Sequence, residues 1–86
     1  MKVADGVVLR EVAGEHVLLP LDQTGIGPLR VYQLTEEGAA LWRALKNGAD
    51  RAELVRLSQA RGDAEASDSV EAFLDSLREL GLLAVG

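Results

Sequence analysis

The chain contains no cysteine, so no disulfide staples the fold and no thiolate can act as nucleophile or metal ligand. It contains one histidine, His16, set in a stretch that reads as a strand. Paired histidines, an H-E-x-x-H run and any Cys/His cluster are absent, which excludes the usual transition-metal spacings. Long apolar runs are also missing. None approaches the roughly 20 residues needed to cross a bilayer, and Met1-Lys2-Val3-Ala4-Asp5-Gly6 lacks the apolar stretch of a secretory signal. A cytoplasmic location without membrane attachment is the expectation. Gly25 and Gly27 form a G-x-G, but Pro28 follows them and no helix does, whereas dinucleotide binding needs a helix N-terminus there. Ser58, Ser67, Ser69 and Ser76 have no general base beside them in the sequence. No catalytic residue, metal ligand or cofactor site is expected, and the chain does not read as an enzyme.

What is present is ordinary globular composition. The 86 residues are 48% hydrophobic and 27% charged, which suits one small domain over 1–86 with a modest core. The formal net charge is −5, so phosphate backbones are repelled unless the bases gather on one face. They do gather in sequence. Arg43, Lys46, Arg51, Arg56 and Arg61 face only Asp50 and Glu53 in the middle of the chain, while six acids stand against Arg78 alone from Asp63 onward. The plain reading of both runs is the solvated faces of helices.

Local patterns divide the chain in two. Val7 to Val12 is rich in β-branched residues, Ala13-Gly14-Glu15 reads as a turn, and His16 to Leu21 follows as the second arm of a hairpin. Residues 22–28, with two glycines and a proline, are loop chemistry. Leu29-Arg30-Val31-Tyr32-Gln33-Leu34 reads as a third strand, completing an antiparallel meander. Thr35 is then a fitting N-cap. Gly38, Leu41, Trp42 and Leu45 fall on one helical stripe, closed by Asn47-Gly48, both tolerant of the left-handed conformation. Asp50 with Glu53 forms a capping-box pattern ahead of Leu54, Val55 and Leu57, and this second helix ends near Arg61-Gly62. A third helix begins between Asp63 and Asp68, carries Val70, Phe73, Leu74, Leu77 and Leu80, and stops at Gly81. Leu82 to Val85 forms a short apolar tail that can pack back. The predicted class is α+β, with order β-β-β-α-α-α, a sheet and a helical layer that must bury their apolar faces on each other.

A three-stranded meander has two edge strands, each a template for another chain. Inside residues 29–34 nothing blocks pairing, and six residues of strand reach about 20 Å, enough for a short linear peptide. Such a peptide would be held by main-chain hydrogen bonds, with side-chain pockets supplying specificity. The alternative is that the protein's own tail covers this edge. A bare edge could also pair with a second copy of the chain, giving a homodimer.

Three stretches resemble one family. Tyr32 to Trp42 is similar to the strand-to-helix junction "Y-x-L-N-E-T-G-A-x-I-W" of the PqqD-like family, departing from it at Thr35 and Glu37. Asp68, Val70, Phe73, Leu74, Leu77 and Gly81-Leu82-Leu83 resemble its last helix, and Arg10, Gly14, Leu18 and Leu19 resemble its opening hairpin. The resemblance implies a winged helix-turn-helix domain of the kind called a RiPP recognition element. Such a domain binds the leader of a ribosomally made precursor peptide as an added strand, against the third strand and third helix. Carried onto this chain, that implies peptide binding by Leu29, Arg30, Val31, Tyr32 and Gln33, with Val70, Phe73 and Leu77 on the groove wall. The partners implied are a precursor peptide and a maturase, such as a radical-SAM enzyme or a leader peptidase. Pyrroloquinoline quinone, a lasso peptide and a radical-SAM-modified peptide are all open as products.

Two rival readings stand beside this one. The same fold serves DNA-binding regulators, since fold alone does not decide function. A recognition helix needs bases and amides, however, and the last helix offers Asp68, Glu71, Asp75 and Glu79 against Arg78, so no nucleic-acid partner is expected. The other rival is a subunit that docks on a maturase through the basic stripe from Arg43 to Arg61 without touching the peptide.

Overall fold

The computed structural model describes residues 2–4, 6–21 and 31–84. The elements run β1 (Lys2–Val3), β2 (Val7–Val12), β3 (Glu15–Pro20), β4 (Tyr32–Leu34), α1 (Glu36–Lys46), α2 (Arg51–Ala60), α3 (Ala66–Glu79) and β5 (Leu83–Ala84). The order β2-β3-β4 makes an antiparallel three-stranded sheet followed by the three helices. This is the expected α+β architecture, compatible with a winged-helix arrangement.

The hairpin closes through two residues rather than three. Ala13 and Gly14 both have positive φ, 53° and 81°, as a type I′ turn requires to match the twist of the flanking strands. Val12 therefore pairs with Glu15, and the register runs from there to Val7 opposite Pro20. The Leu21 N–H donates to the Gly6 carbonyl at 2.6 Å, which identifies the bonded positions. Antiparallel pairs alternate between bonded and unbonded, so Val8, Arg10 and Val12 bond to β3, while Val7, Leu9 and Glu11 turn their backbone groups away from it. By the same alternation His16 and Leu18 face β4, paired with Leu34 and Tyr32.

Among the described residues the third strand covers Tyr32–Leu34, paired with β3 from His16 opposite Leu34 to Leu18 opposite Tyr32. Val31 lies outside the strand, and Leu29, Arg30 and the loop at 22–28 lie outside the described residues.

The helices start and stop where their capping residues dictate. Thr35 Oγ1 accepts from the Gly38 N–H at 3.0 Å, filling one of the donors a helix start leaves open. Asp50 and Glu53 form the reciprocal capping box, with Asp50 Oδ1 accepting from the Glu53 N–H at 2.9 Å. At the end of α1 only Gly48 enters the left-handed region, at φ 93°; Asn47 stays at φ −87°. The start of α3 has no side-chain cap, although Asp63 Oδ1 accepts from the Glu65 N–H just before it.

The core joins the two layers. Val7 and Leu18 of the sheet meet Leu41, Trp42 and Leu45 of α1, Leu54 of α2, and Val70, Leu74 and Leu77 of α3. Gly38, Leu41, Trp42 and Leu45 are all buried, as their stripe predicted. On α2, Leu54 is buried while Val55 and Leu57 are only partly so. The apolar tail does pack back: Leu82 and Leu83 are buried, and β5 pairs with β1 through Val3 opposite Leu83. This second small sheet, with the Ala4 N–H donating to the Leu82 carbonyl at 2.9 Å, ties the two ends of the chain together.

Candidate functional site: the free edge of β4 and its groove

Among the described residues β4 is an edge strand. Tyr32 and Leu34 are spent on β3, so the alternation of bonded pairs turns the N–H and C=O of Gln33 outward. The same phase applies to Val31, two residues earlier. Opposite this edge lies α3, and between them is a depression of about 430 Å³. Its strand side is Val31, Tyr32, Gln33 and Leu34, and its helix side is Phe73, Ser76, Leu77 and Leu80. Leu18 and Leu82 reach it from the core, and Thr35 and Gly38 close the end at the start of α1. A Cβ on Gly38 would stand 3.3 Å from Thr35 Oγ1, a tight approach, and 3.5 Å from the edge of the Phe73 ring, an ordinary contact.

The apolar stripe of α3 splits into two adjacent lanes. Val70, Leu74 and Leu77 are buried, spaced i, i+4 and i+7, and face the core. Phe73, Leu77 and Leu80 follow the same spacing one lane over and face the groove, with Leu77 belonging to both. Val70 has 0% exposure and lies behind the groove in the core, so it offers no surface to a ligand. Leu80, expected in the core stripe, is 45% exposed and stands on the groove wall. Its i+7 spacing from Phe73 was the available signal. Val31 is 49% exposed and Gln33 is exposed, while Tyr32, Leu34 and Phe73 are half-buried. Leu29 and Arg30 lie outside the described residues.

Around this groove the chemistry is apolar and main-chain. Among the described residues no group of three or more His, Cys, Asp or Glu is placed to hold a metal ion, and no helix is long and apolar enough to cross a membrane. On the outer surface of α3, Arg78 is held by Asp75 at 2.9 Å, and Asp68 in the first turn and Glu79 at the end are exposed. The basic run of α1 and α2 is divided in space. Arg51 bonds Glu71 of α3 at 3.0 Å, while Arg43 and Lys46 turn toward β2.

Fold and groove together define a small winged-helix-like module whose sheet, among the described residues, keeps an open strand edge beside an apolar helix face. The family described as coenzyme PQQ synthesis protein D (PqqD) matches residues 15–83, and the chain belongs to that family. Two solved structures share the whole architecture. TbiB1 in complex with the TbiA(β) leader peptide is 26% identical, with TM-score 0.80 over 100% of this chain and 98% of that one. Lasso peptide synthetase B1 complexed with the leader peptide is 18% identical, with TM-score 0.78 over 98% and 96%, a likeness of fold. No curated protein matches the chain.

Proposed function

We propose that this protein binds the leader region of a ribosomally synthesised precursor peptide by strand addition to β4 and presents it to a modifying or processing enzyme in the cytoplasm, performing no chemistry itself. The observation that carries the reading is the juxtaposition of the outward-facing Gln33 backbone with the groove formed by Phe73, Leu77 and Leu80. An added strand would take main-chain hydrogen bonds from Val31 and Gln33, and its alternate side chains would descend onto the α3 lane. Membership of the PqqD family and likeness to a leader-peptide complex at 26% identity support a leader peptide as the ligand. Leu29 and Arg30 extend the proposed contact beyond the described residues. Holding the peptide on a module that also meets the enzyme raises the peptide's effective concentration there. The acidic surface of α3 weighs against the DNA-binding alternative, because it would face a phosphate backbone with carboxylates.

The test is the affinity of a fluorescent leader from the precursor encoded nearest this gene, for the wild type and for Val31→Pro. Proline removes one outward N–H, and a position preceding the strand tolerates it. Weakened binding by a variant with unchanged circular dichroism supports strand addition at β4. Equal affinity in the folded variant refutes it.

A further inference from the structure

We propose that the open edge of β2 is a second docking surface, which takes an extended acidic segment of the enzyme that receives the peptide; this rests on the peptide-presenting reading above. The sheet has two edges, and they differ in chemistry. At β2 the alternation of bonded pairs turns the backbone groups of Leu9 and Glu11 outward. The third outward carbonyl, that of Val7, is taken by Lys46 Nζ at 3.3 Å, which fixes α1 alongside the edge. Between edge and helix lies a depression of about 330 Å³, lined by Leu9, Arg10, Glu11, Trp42, Arg43 and Lys46 among others. Three bases face one carboxylate there, on a chain whose net charge is −5.

Two of these bases are not consumed internally among the described residues. Arg10 and Arg43 are exposed and make no ion pair or side-chain hydrogen bond among the described residues, unlike Arg51 and Arg78. Trp42, fully buried, forms the floor of the depression. At the far end of β2 Val12 is 58% exposed. Unpaired backbone groups select an extended polypeptide, and the charge selects an acidic one. The peptide edge and this edge lie on opposite sides of the sheet, so an enzyme segment at β2 and a leader at β4 would be four strand spacings apart, about 19 Å, and can be held at once.

The experiment uses the full chain as wild type, as Arg10→Glu with Arg43→Glu, and as Arg10→Gln with Arg43→Gln. Each is titrated with the leader peptide and, separately, with the maturation enzyme encoded beside the precursor. Circular dichroism checks the fold. The charge-reversed protein is expected to lose at least about tenfold in enzyme affinity at low salt, with the neutral variant intermediate, while leader affinity stays within about twofold because the peptide lies on the other edge. Enzyme affinity unchanged in both variants overturns the proposal. So does a wild type that never binds the enzyme, or leader affinity that falls in parallel. Self-association of the wild type that disappears in the charge-reversed variant would assign the edge to a second copy and likewise overturn it. A wild type that binds the enzyme through Arg10 and Arg43 but binds no leader removes the peptide-presenting reading and leaves this docking surface in place.

Discussion

Leu80→Ala should weaken leader binding without unfolding the protein. Leu80 terminates α3 as its C-cap and keeps 45% of its surface exposed on the groove wall. Covering a whole leucine side chain is worth about 1.5–3 kcal/mol, so the exposed part offers a peptide about 0.7–1.3 kcal/mol. Truncation to alanine removes most of that, which corresponds to a loss of about 3- to 10-fold in affinity. Leu74, one lane away and 0% exposed, behaves oppositely: its truncation should cost about 2–5 kcal/mol of stability by opening a core cavity, with no contact to the peptide lost. The assay is fluorescence anisotropy of the labelled leader, paired with urea unfolding of each variant. Leader affinity unchanged in a folded Leu80→Ala protein would refute the assignment of this lane to the ligand. A stability loss for Leu80→Ala as large as that for Leu74→Ala would show that Leu80 belongs to the core instead.

Two further predictions concern the scaffold. Ala13 occupies a left-handed position, φ 53°, where an L-residue without a local hydrogen-bonding side chain is strained by about 1–2 kcal/mol. Ala13→Asn should therefore raise the unfolding free energy by up to about 1 kcal/mol, read as a higher urea midpoint at constant slope; a lower midpoint would contradict the type I′ assignment. Asp50→Ala removes one half of the capping box on α2 and should lower stability by about 1 kcal/mol while leaving leader affinity unchanged, since α2 does not line the β4 groove.

Much of this fold was legible because its signals are local. Thr35 and Asp50 announce helix starts through hydrogen bonds that span three residues, and the Gly38, Leu41, Trp42, Leu45 stripe follows from helix periodicity alone. The hairpin, the element order and the apolar tail came from the same short-range patterns, and the junction from Tyr32 to Trp42 resembled the family that the match over residues 15–83 then showed. The site was legible only in outline. Val31, Tyr32, Gln33, Phe73 and Leu77 do line one groove, but Val70 lies in the core and Leu80 on the wall. A stripe of five apolar residues does not reveal which lane meets another helix and which is left beside a strand.

What the sequence by itself determined is therefore the set of elements, their caps and the edge-bearing class of sheet, because each depends on neighbours within a turn or a hairpin. Tertiary structure decided the rest. The pairing of Lys2–Val3 with Leu83–Ala84 joins two-residue segments from opposite ends of the chain, too short to carry a periodic signal. Which backbone groups of β4 turn outward depends on its register with β3, Leu18 opposite Tyr32. Arg10 joins Arg43 and Lys46 at one edge only because α1 packs beside β2, so a run of bases that looked continuous along α1 and α2 is divided between two surfaces. Periodicity specifies which side of an element is apolar; only the packing of elements against one another specifies which part of that side stays open to a partner.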